Sequence, residues 1–437
     1  MGSYVQLATE EERLAIRHLS DKLVELQRPI RVLDHLKWDD SIQTAFFESK
    51  CKKLPLITPE YYAARPLPFD VEERNDAFYE LESLVQRELG RLSGVGRIMQ
   101  RMCTEYRMVC KMIQSRGTPR FGLLAERLYG GANDVFYMGG PTVRDLAALL
   151  ADRLPQMVLQ TQSELDEKVY SAQDVVDRLG PRLAEYFSEQ GHTVRVEVSD
   201  SLVADAAAGA DSIRIRSSAR FSERDIRLLE VHEGWVHVGT TLNGSSQPVC
   251  TFLSKGPPSS TVTQEGLAVI TELFTFSAFP ARLRRLINRI LAIDMLSSGA
   301  NFLEVFQFFR AQGHDEGESY HLAARIFRGS LPDGSVGPFT KDLAYCRGFI
   351  MIYNFIRLAI QEGMLDYIPL LFIGKVTLED IPVLAESVEQ GLIELPRYVP
   401  PHFSDLAALS TWMSFSLFLN RVDLQKFALD FRSILRD

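Results

Sequence analysis

The chain is poor in the features that mark secreted and membrane proteins. Its five cysteines are scattered over 437 residues without a C-x-x-C pair, which predicts reduced thiols rather than a disulfide framework. The most apolar region, residues 348–376, is interrupted by charged and polar residues and by a proline, so it fails as a membrane span. The first ten residues lack the charged-then-apolar pattern of a signal peptide. These absences predict a cytoplasmic protein that does not act in a membrane.

An excess of basic charge is also missing. The formal net charge is −9 at pH 7, whereas a general nucleic-acid binder needs a basic surface that displaces counterions. Charge runs on a helix usually form a solvated face. We predict such a face for one local basic cluster, which consists of Arg282, Arg284, Arg285 and Arg289. With 46% apolar and 24% charged residues, the composition is that of a folded globular protein.

Residues 1–190 are predicted to form an N-terminal helical region. Apolar residues recur at helical spacing over residues 10–27, 78–92 and 95–113, and helices resume between residues 142 and 190. The glycine-rich segment 129–141 is predicted to be a loop, and it lacks the Gly-Lys-Ser/Thr of a phosphate-binding motif. Three arrangements stay open for this region: a separate domain, a lid over a cleft, or part of one compact unit with the rest of the chain.

Residues 191–437 are predicted to contain the catalytic region. Apolar residues alternate over 192–198 and 212–217, which predicts two strands, and the alanine-rich stretch 202–210 between them is ambiguous. Ser222 with Asp225 three residues later marks a helix start. Further helices are predicted over residues 264–277, 281–296, 302–312, 317–328, 341–362, 378–391 and 404–436. The predicted fold class is α+β and mainly α, with a small antiparallel or mixed sheet packed on the helix after Ser222.

The central signal is the segment His232-Glu233-Gly234-Trp235-Val236-His237. A catalytic zinc site uses about three protein ligands and leaves one position open for water. In the common form of the motif, two histidines stand four residues apart on a helix and a glutamate follows the first. His232 and His237 are therefore candidate zinc ligands, and Trp235 between them is predicted to pack in the core.

The spacing of the two histidines departs from the common motif, because they stand five residues apart. Five residues turn a regular helix through about 500°, which leaves the two rings about 140° out of line. One extra residue in a π-bulge would realign them, and such bulges concentrate at functional sites. The spacing therefore predicts a wide or irregular helix over residues 234–236. Without that distortion both histidines are ordinary, one in the core and one on the surface.

The third ligand is predicted to be Glu265, which lies near the start of the next helix in Gln264-Glu265-Gly266-Leu267-Ala268. Glu272 follows seven residues later on the same helix face. We expect Glu272 to support a ligand or to form a structural ion pair, and we keep it as the reserve ligand. Zinc in such a site lowers the pKa of a water molecule toward neutrality and polarises a carbonyl. Glu233, beside the ligands, is the candidate general base that passes the water proton to the leaving amine.

The paired motifs resemble those of the QEGLA-motif family, which is called flavohaemoglobin expression-modulating in bacteria. That family includes the vertebrate microtubule-associated tyrosine carboxypeptidases. The resemblance extends to short segments over most of the chain, namely Gly117-Thr118 with Phe121, Tyr129-Gly130, Phe327-Arg328-Gly329, and Phe339-Thr340-Lys341-Asp342 with Tyr345. It implies a zincin-like zinc peptidase with a glutamate as third ligand. It also implies removal of a C-terminal residue from a peptide or protein, with the aromatic preference that the vertebrate members suggest.

A carboxypeptidase needs a cation for the terminal carboxylate of its substrate, and arginine binds a carboxylate best. Arg328 and Lys341 are the candidates, with surface ion pairs as the alternative role. Tyr345 and His321 are candidates for stabilising the developing oxyanion, with packing or a structural hydrogen bond as the alternative role. The resemblance does not carry over the natural substrate, and the oligomeric state stays open.

These patterns predict a cytoplasmic zinc metallopeptidase of the carboxypeptidase type, with Zn2+ as cofactor and no nucleic-acid partner. Two other functions stay open: a zinc amidase that acts on a non-peptide amide, and a non-catalytic regulatory or binding protein. The position of Glu233 favours catalysis, because a structural site has no need of a carboxylate next to a ligand histidine.

Overall fold

The structure of the chain, a computed structural model, describes residues 7–161, 163–188, 191–200, 202, 204–424 and 426–427. These residues are mainly helical and include one small sheet. The helices before the sheet are α1 (Glu10–Gln27), α2 (Val32–Leu36), α3 (Asp40–Glu48), α4 (Pro59–Ala63), α5 (Val71–Leu89), α6 (Gly94–Gln114), α7 (Pro119–Tyr129), α8 (Val143–Ala151), α9 (Leu154–Thr161) and α10 (Ala172–Ser188).

Local sequence sets the bounds of several of these helices. α1 covers the predicted residues because Thr9 and Glu12 form a capping box at its start. The predicted helical stretch from residue 142 is interrupted in the structure, where α8, α9 and α10 are separate and a 3₁₀ turn at Glu164–Asp166 precedes α10. Residues 189–190, the predicted end of that stretch, lie outside the described residues.

The sheet has three strands in the order β1 (Arg195–Ser199), β3 (Ser212–Arg216) and β2 (Ala206–Ala208). β1 is parallel to β3, and β2 is antiparallel to it. The predicted mixed sheet is thus confirmed, and the ambiguous alanine-rich stretch supplies its edge strand. Ile213 and Ile215 are fully buried on one face, where they pack in a hydrophobic cluster with α10 and the helix that follows the sheet.

The segment after the sheet contains the motif residues. It consists of α11 (Glu223–Leu229), a π-helix (Glu230–Val238), α12 (Gly239–Ser245), a 3₁₀ turn (Thr251–Ser254) and α13 (Ser260–Phe274). α11 begins at a capping box formed by Ser222 and Asp225, as the sequence predicts. The widened helix that the histidine spacing predicts over residues 234–236 is confirmed, because those residues lie inside the π-helix.

The remaining helices complete the wall around the motif. They are α14 (Pro280–Ser297), α15 (Phe302–Ala311), α16 (Glu316–Phe327), α17 (Ala344–Gln361), α18 (Tyr367–Leu370), α19 (Ile381–Glu389), α20 (Pro401–Ser404) and α21 (Leu406–Leu419), with 3₁₀ turns at Thr340–Leu343 and Leu378–Asp380. The predicted helix over residues 404–436 is divided between α20 and α21, and its end from residue 428 lies outside the described residues.

Three hydrophobic clusters meet at the motif. The first joins α1, α5 and α6 to α13, α17 and α19 and includes Val236. The second joins α14, α15 and α16 and includes Tyr345. The third joins α10, the sheet and α11 and includes Val238. Trp235 packs at the edge of this third cluster, where its ring stacks on Tyr186 at 5.4 Å between centroids, so its predicted core role is confirmed. The two histidines therefore lie on a helix that is held from three sides.

One helical segment, Thr340–Gln361, is long and apolar enough to cross a membrane by length and composition, with a mean hydropathy of 1.3. In the structure, 44% of this window is buried inside the protein. Core helices of soluble proteins pass the same test. The segment packs against α13, which carries Glu265.

Two glycines allow α13 and α17 to touch. Gly266 and Gly348 face each other so closely that a Cβ on Gly266 would overlap the Gly348 carbonyl, and a Cβ on Gly348 would overlap the Val262 carbonyl. These atoms are backbone, so they cannot move aside as a side chain would. The glycine that follows Glu265 in the motif thus fixes the approach of the two helices.

Gly266→Ala is expected to destabilise the fold by about 1–3 kcal/mol or more, because overpacking forces two backbones apart. The matched control is Gly317→Ala in α16, where an added Cβ meets only Asp315 Oδ1 at an ordinary contact distance of 3.4 Å and better helix propensity should leave stability unchanged or raised. Thermal denaturation of both variants measures the difference. Equal melting temperatures for Gly266→Ala and the wild type would contradict the close crossing.

Candidate metal centre

The π-helix brings the two histidine rings together. The ring centroids of His232 and His237 lie 4.7 Å apart and the rings are perpendicular. Gly234 packs against Leu183 of α10, whose side chain would clash with a Cβ at that position. On this π-helix a spacing of five residues therefore places both rings on one side, as a spacing of four residues does on a regular α-helix.

Glu265 completes a cluster of three possible ligands. His232, His237 and Glu265 each offer one ligand atom, and these atoms all lie within 4.8 Å of one another. Glu265 Oε2 is 3.5 Å from Nε2 of His232 and 3.5 Å from Nε2 of His237. This oxygen is buried and has no hydrogen-bond partner among the described residues. Two imidazoles and one carboxylate are the donor set of a catalytic zinc site, so the residues fit a zinc ion.

The electrostatics of the cluster favour a cation. Burial would lower the pKa of His232, but the neighbouring carboxylates of Glu265 and Glu272 raise it to about 10. Burial would raise the pKa of Glu265, but the Lys341 ammonium and the two imidazoles hold it well below its usual range. Glu265 therefore stays ionised, and the negative charge that favours a proton on His232 also favours a metal ion in its place.

Glu272 supports His232 from behind. The Nδ1–H of His232 donates to Glu272 Oε1 at 2.6 Å, which leaves Nε2 directed at Glu265. Arg282 donates to both oxygens of Glu272, at 3.0 and 3.3 Å. Metal-binding histidines commonly donate their second ring nitrogen to a carboxylate, which fixes the tautomer and the ring orientation. This geometry matches the supporting role rather than the reserve-ligand role of Glu272.

Glu233 lies beside the three ligands but outside their cluster. Its Oε1 is 4.0 Å from His232 Nε2, and its Oε2 accepts a hydrogen bond from the Ala208 N–H at 3.0 Å. Ala208 lies on β2, so the edge strand of the sheet orients this carboxylate. One oxygen of Glu233 thus stays available next to the candidate metal ligands.

A cavity of about 450 Å³ opens onto this centre. It brings together five of the predicted site residues: His232, Glu233, His321, Arg328 and Tyr345. The buried Tyr345 ring stacks on His232 with 6.0 Å between centroids, and its hydroxyl accepts from Arg325 at 3.4 Å. His321 is half-buried on the same cavity, and burial lowers its pKa, as does the charge of Arg216.

The predicted solvated face on α14 is wrong. Arg282 is buried, the Arg289 side chain is 12% exposed, and together with Arg285 they line the cavity. Only Arg284 is directed elsewhere, to the carbonyl of Gln312. Residues 282, 285 and 289 stand three and seven positions apart and so share one helix face. This spacing in the sequence indicates that three of the arginines share a face of α14 from which Arg284 is excluded.

Arg328 is a buried cation without a partner. It is 5% exposed, lines the cavity, and has no hydrogen bond or ion pair within the part of the chain that the structure describes. Burial lowers its pKa to about 9, as do the neighbouring charges of Arg325 and Arg289. Arg325 is paired with Asp342, which is the counter-charge nearest this group. The cavity wall at Arg328 therefore carries an excess of positive charge.

Lys341 pairs with the carboxylate of the ligand cluster. Its ammonium donates to Glu265 Oε1 at 3.1 Å, and Lys341 is not among the residues that line the cavity. Residues of the short family-like segments pack around Lys341 and Arg328 and fix the positions of both. Gly329 has a φ of +75° and faces the Phe121 ring so closely that a Cβ would overlap it, while Phe121 contacts Phe339.

Several residues of the centre have no signal in the sequence. Lys375 donates to the His237 carbonyl and to Gln264 Oε1. The Ala208 N–H orients the Glu233 carboxylate. Lys375 is 138 positions from His237. The role of Ala208 depends on its main-chain N–H, which every residue except proline has, so the residue type gives no indication of it. Only Gln264 is next to a residue that the motif singles out.

Comparison with known proteins finds one matching family. The family model for microtubule-associated tyrosine carboxypeptidase matches residues 44–421. Microtubule-associated tyrosine carboxypeptidase 1 of Mus musculus is 28% identical over 196 residues, which are 44% of this chain and 39% of the mouse protein. The match thus spans about two fifths of the length of that relative, and the resemblance inferred from the motifs is confirmed.

Two solved structures are similar at low level. A crystal structure of a Colwellia psychrerythraea protein has a TM-score of 0.43 at 11% identity, covering 94% of this chain and 77% of that chain. Pyrococcus furiosus carboxypeptidase has a TM-score of 0.37 at 11% identity, covering 94% of this chain and 99% of that chain. At these scores neither likeness carries a statement about fold or function.

Proposed function

The chain belongs to the microtubule-associated tyrosine carboxypeptidase family, and from that premise we propose that it is a zinc-dependent carboxypeptidase with a zincin-like centre. The observation that carries the proposal is the convergence of His232, His237 and Glu265 beside a cavity with a buried arginine that has no partner among the residues the structure describes. A zinc ion held by these three residues would act as a Lewis acid on the scissile carbonyl and lower the pKa of the attacking water.

Glu233 is proposed to handle the proton. Its Oε2 accepts from the Ala208 N–H, which favours the orientation in which the carboxylate faces the ligands. Oε1, which is 4.0 Å from His232 Nε2, then takes the proton of the attacking water and passes it to the leaving amine. A carboxylate that moves a proton this way must lie beside the metal ligands and not among them, as Glu233 does.

Tyr345 is proposed to stabilise the developing oxyanion. Its ring stacks on His232, and its oxygen accepts from Arg325, which leaves the O–H of Tyr345 available to donate. A donor already in place at the site of the developing charge costs no reorganisation during the reaction. His321 lines the same cavity near Arg216 and Asp205, and we propose for it a contact with the bound substrate.

Arg328 is proposed to bind the terminal carboxylate of the substrate. A buried guanidinium without a counter-ion is costly, and a carboxylate that enters the cavity would pair with it through two parallel hydrogen bonds. Arg289, whose side chain is 12% exposed and whose Nε lies 3.7 Å from Asp342 Oδ2, adds to the same positive region. Lys341 is proposed instead to keep Glu265 ionised and oriented, because its ammonium already pairs with that carboxylate.

The outer edge of β2 is proposed to receive the main chain of the substrate. The Arg216 N–H donates to the Asp205 carbonyl and the Gly209 N–H donates to the Ser212 carbonyl, so alternate residues of β2 face β3. The main-chain N–H and C=O groups of Ala206 and Ala208 therefore point away from β3, and Ala206 lines the cavity. The Ala208 N–H already donates to Glu233, so an extended peptide would pair with the main-chain groups of Ala206 and with the Ala208 carbonyl.

The test is a peptide library with free C-termini, incubated with the protein and read by mass spectrometry. The expected result is the loss of single C-terminal residues, abolished by chelation and restored by zinc. Copies of the same peptides with amidated C-termini are the matched control and should be cleaved far more slowly. Cleavage only at internal bonds, or equal cleavage of amidated copies, would reject the carboxypeptidase assignment, and inertness toward every peptide would favour a non-peptide amide or a binding role.

A further inference from the structure

Lys375 lies behind the metal centre, outside the cavity. Its ammonium donates to three acceptors at 2.9 Å each: the His237 carbonyl, Thr240 Oγ1 and Gln264 Oε1. A lysine ammonium has three N–H donors. All three are therefore used inside the protein, and none remains for a substrate.

Three side chains surround the His237 carbonyl. Besides Lys375 it accepts from Thr241 Oγ1 at 2.7 Å and lies 3.3 Å from Thr240 Oγ1. This carbonyl belongs to the π-helix, whose wider hydrogen-bond pattern replaces the regular α-helical ladder. The side chains around it fix the backbone of a ligand residue at the point where the helix returns to α geometry at Gly239.

Gln264 ties this point to the second ligand-bearing helix. Its Oε1 accepts from Lys375 at 2.9 Å, and its amide donates to the Gly374 carbonyl at 3.3 Å. The Thr240 hydroxyl lies 2.8 Å from the same Oε1, but the acceptor nearest to its single proton is the Val236 carbonyl at 2.6 Å. Glu265, the carboxylate ligand, is the next residue. A chain of hydrogen bonds thus runs from the His237 main chain through Lys375 to the residue before Glu265.

The backbone of Lys375 is itself anchored. Its N–H donates to the Leu253 carbonyl at 2.7 Å, and Gly374 packs so closely on Leu253 that a Cβ there would lie 2.6 Å from the same carbonyl oxygen. The ammonium is therefore presented by a fixed segment rather than by a mobile loop. Partial burial of a lysine is costly unless its donors are satisfied, and here all three are.

We propose that Lys375, with Gln264 and Thr240, is a positioning residue that sets the distance between His237 and Glu265. The inference rests on the proposed zinc centre, because the spacing matters only if both side chains hold one ion. Lys375 acts through the main chain of His237 and touches neither the cavity nor the substrate. The glutamine of the motif thereby acquires a role: it joins the π-helix to the helix that carries Glu265.

The test is zinc affinity, measured by competition with a chelator on folded protein. Lys375→Met is expected to weaken zinc binding by about 10- to 100-fold, the usual effect of losing a group that orients a metal ligand. Its kcat should fall while KM changes little, because Lys375 lies away from the substrate. Lys255→Met is the matched control, since Lys255 is also half-buried but lies outside the network, and it should bind zinc as the wild type does.

A second pair of variants decides the matter if Lys375→Met does not fold. Thr240→Ser keeps the hydroxyl that accepts from Lys375, and Thr240→Val removes it at nearly constant shape. Weaker zinc binding in Thr240→Val, with recovery in Thr240→Ser, supports the proposal. Wild-type zinc affinity in Lys375→Met, or in Thr240→Val, overturns it while the zinc centre itself stands. A wild-type protein that binds no zinc removes both the centre and this inference.

Discussion

Glu233→Gln is expected to bind zinc as the wild type does and to lose about 10²- to 10⁴-fold in kcat. The amide keeps an oxygen that can accept from the Ala208 N–H, so the local structure should persist. The amide cannot take a proton from water, and proton transfer is the role that the position of Glu233 supports. Steady-state kinetics on a peptide with a free C-terminus, together with zinc content, measure both parts of this expectation.

The matched control for Glu233 is Glu230→Gln on the same π-helix. Glu230 pairs with Arg182 and does not line the cavity. Its replacement should leave kcat close to the wild-type value, which shows that a lost carboxylate on this helix is not in itself harmful. Full activity in Glu233→Gln would contradict the assigned base, and loss of zinc in that variant would place Glu233 among the ligands instead.

Arg328→Met is expected to lower kcat/KM for peptides with free C-termini by about 30- to 4,000-fold. The estimate follows from the cost of about 2–5 kcal/mol for removing one partner of a buried charge pair. Amidated peptides cannot form that pair, so their slow cleavage should change little and the preference for a free carboxylate should disappear. A constant ratio between the two kinds of peptide would show that Arg328 does not bind the terminus.

The same variant has a second expected property. Arg328 has no hydrogen bond or ion pair among the described residues, so its removal takes away an uncompensated buried charge. The melting temperature of the substrate-free protein should therefore stay the same or rise while activity falls. Arg284→Met, on the face of α14 that is directed away from the cavity, is the control and should keep both activity and peptide preference.

Local patterns predicted the parts of the fold that depend on neighbours in sequence. The capping box at Ser222 and Asp225 gives the start of α11, and the five-residue spacing of His232 and His237 gives the π-helix. In the second case a departure from a known motif was more informative than a match, because only one kind of distortion brings the two rings together.

The errors and omissions arise where tertiary contacts decide. Arg282 and Arg289 were predicted to be solvated because charge runs usually are, yet the carboxylates of Glu272 and Asp342 allow them to be largely buried. The pairing of β2 with β3 gives an alanine-rich segment its strand structure, although alanine favours strands little. Lys375 reaches the centre from a distant segment, so no spacing in the sequence indicates it.

The most direct measurement of the central claim is the zinc content of purified protein after equilibration with zinc and removal of the excess. One zinc per chain is expected for the wild type and for the control His35→Ala, whose ring contacts the Pro29 carbonyl far from the ligands. Close to none is expected for His237→Ala and for Glu265→Ala. A wild type without zinc, or ligand variants that retain it fully, would contradict the account.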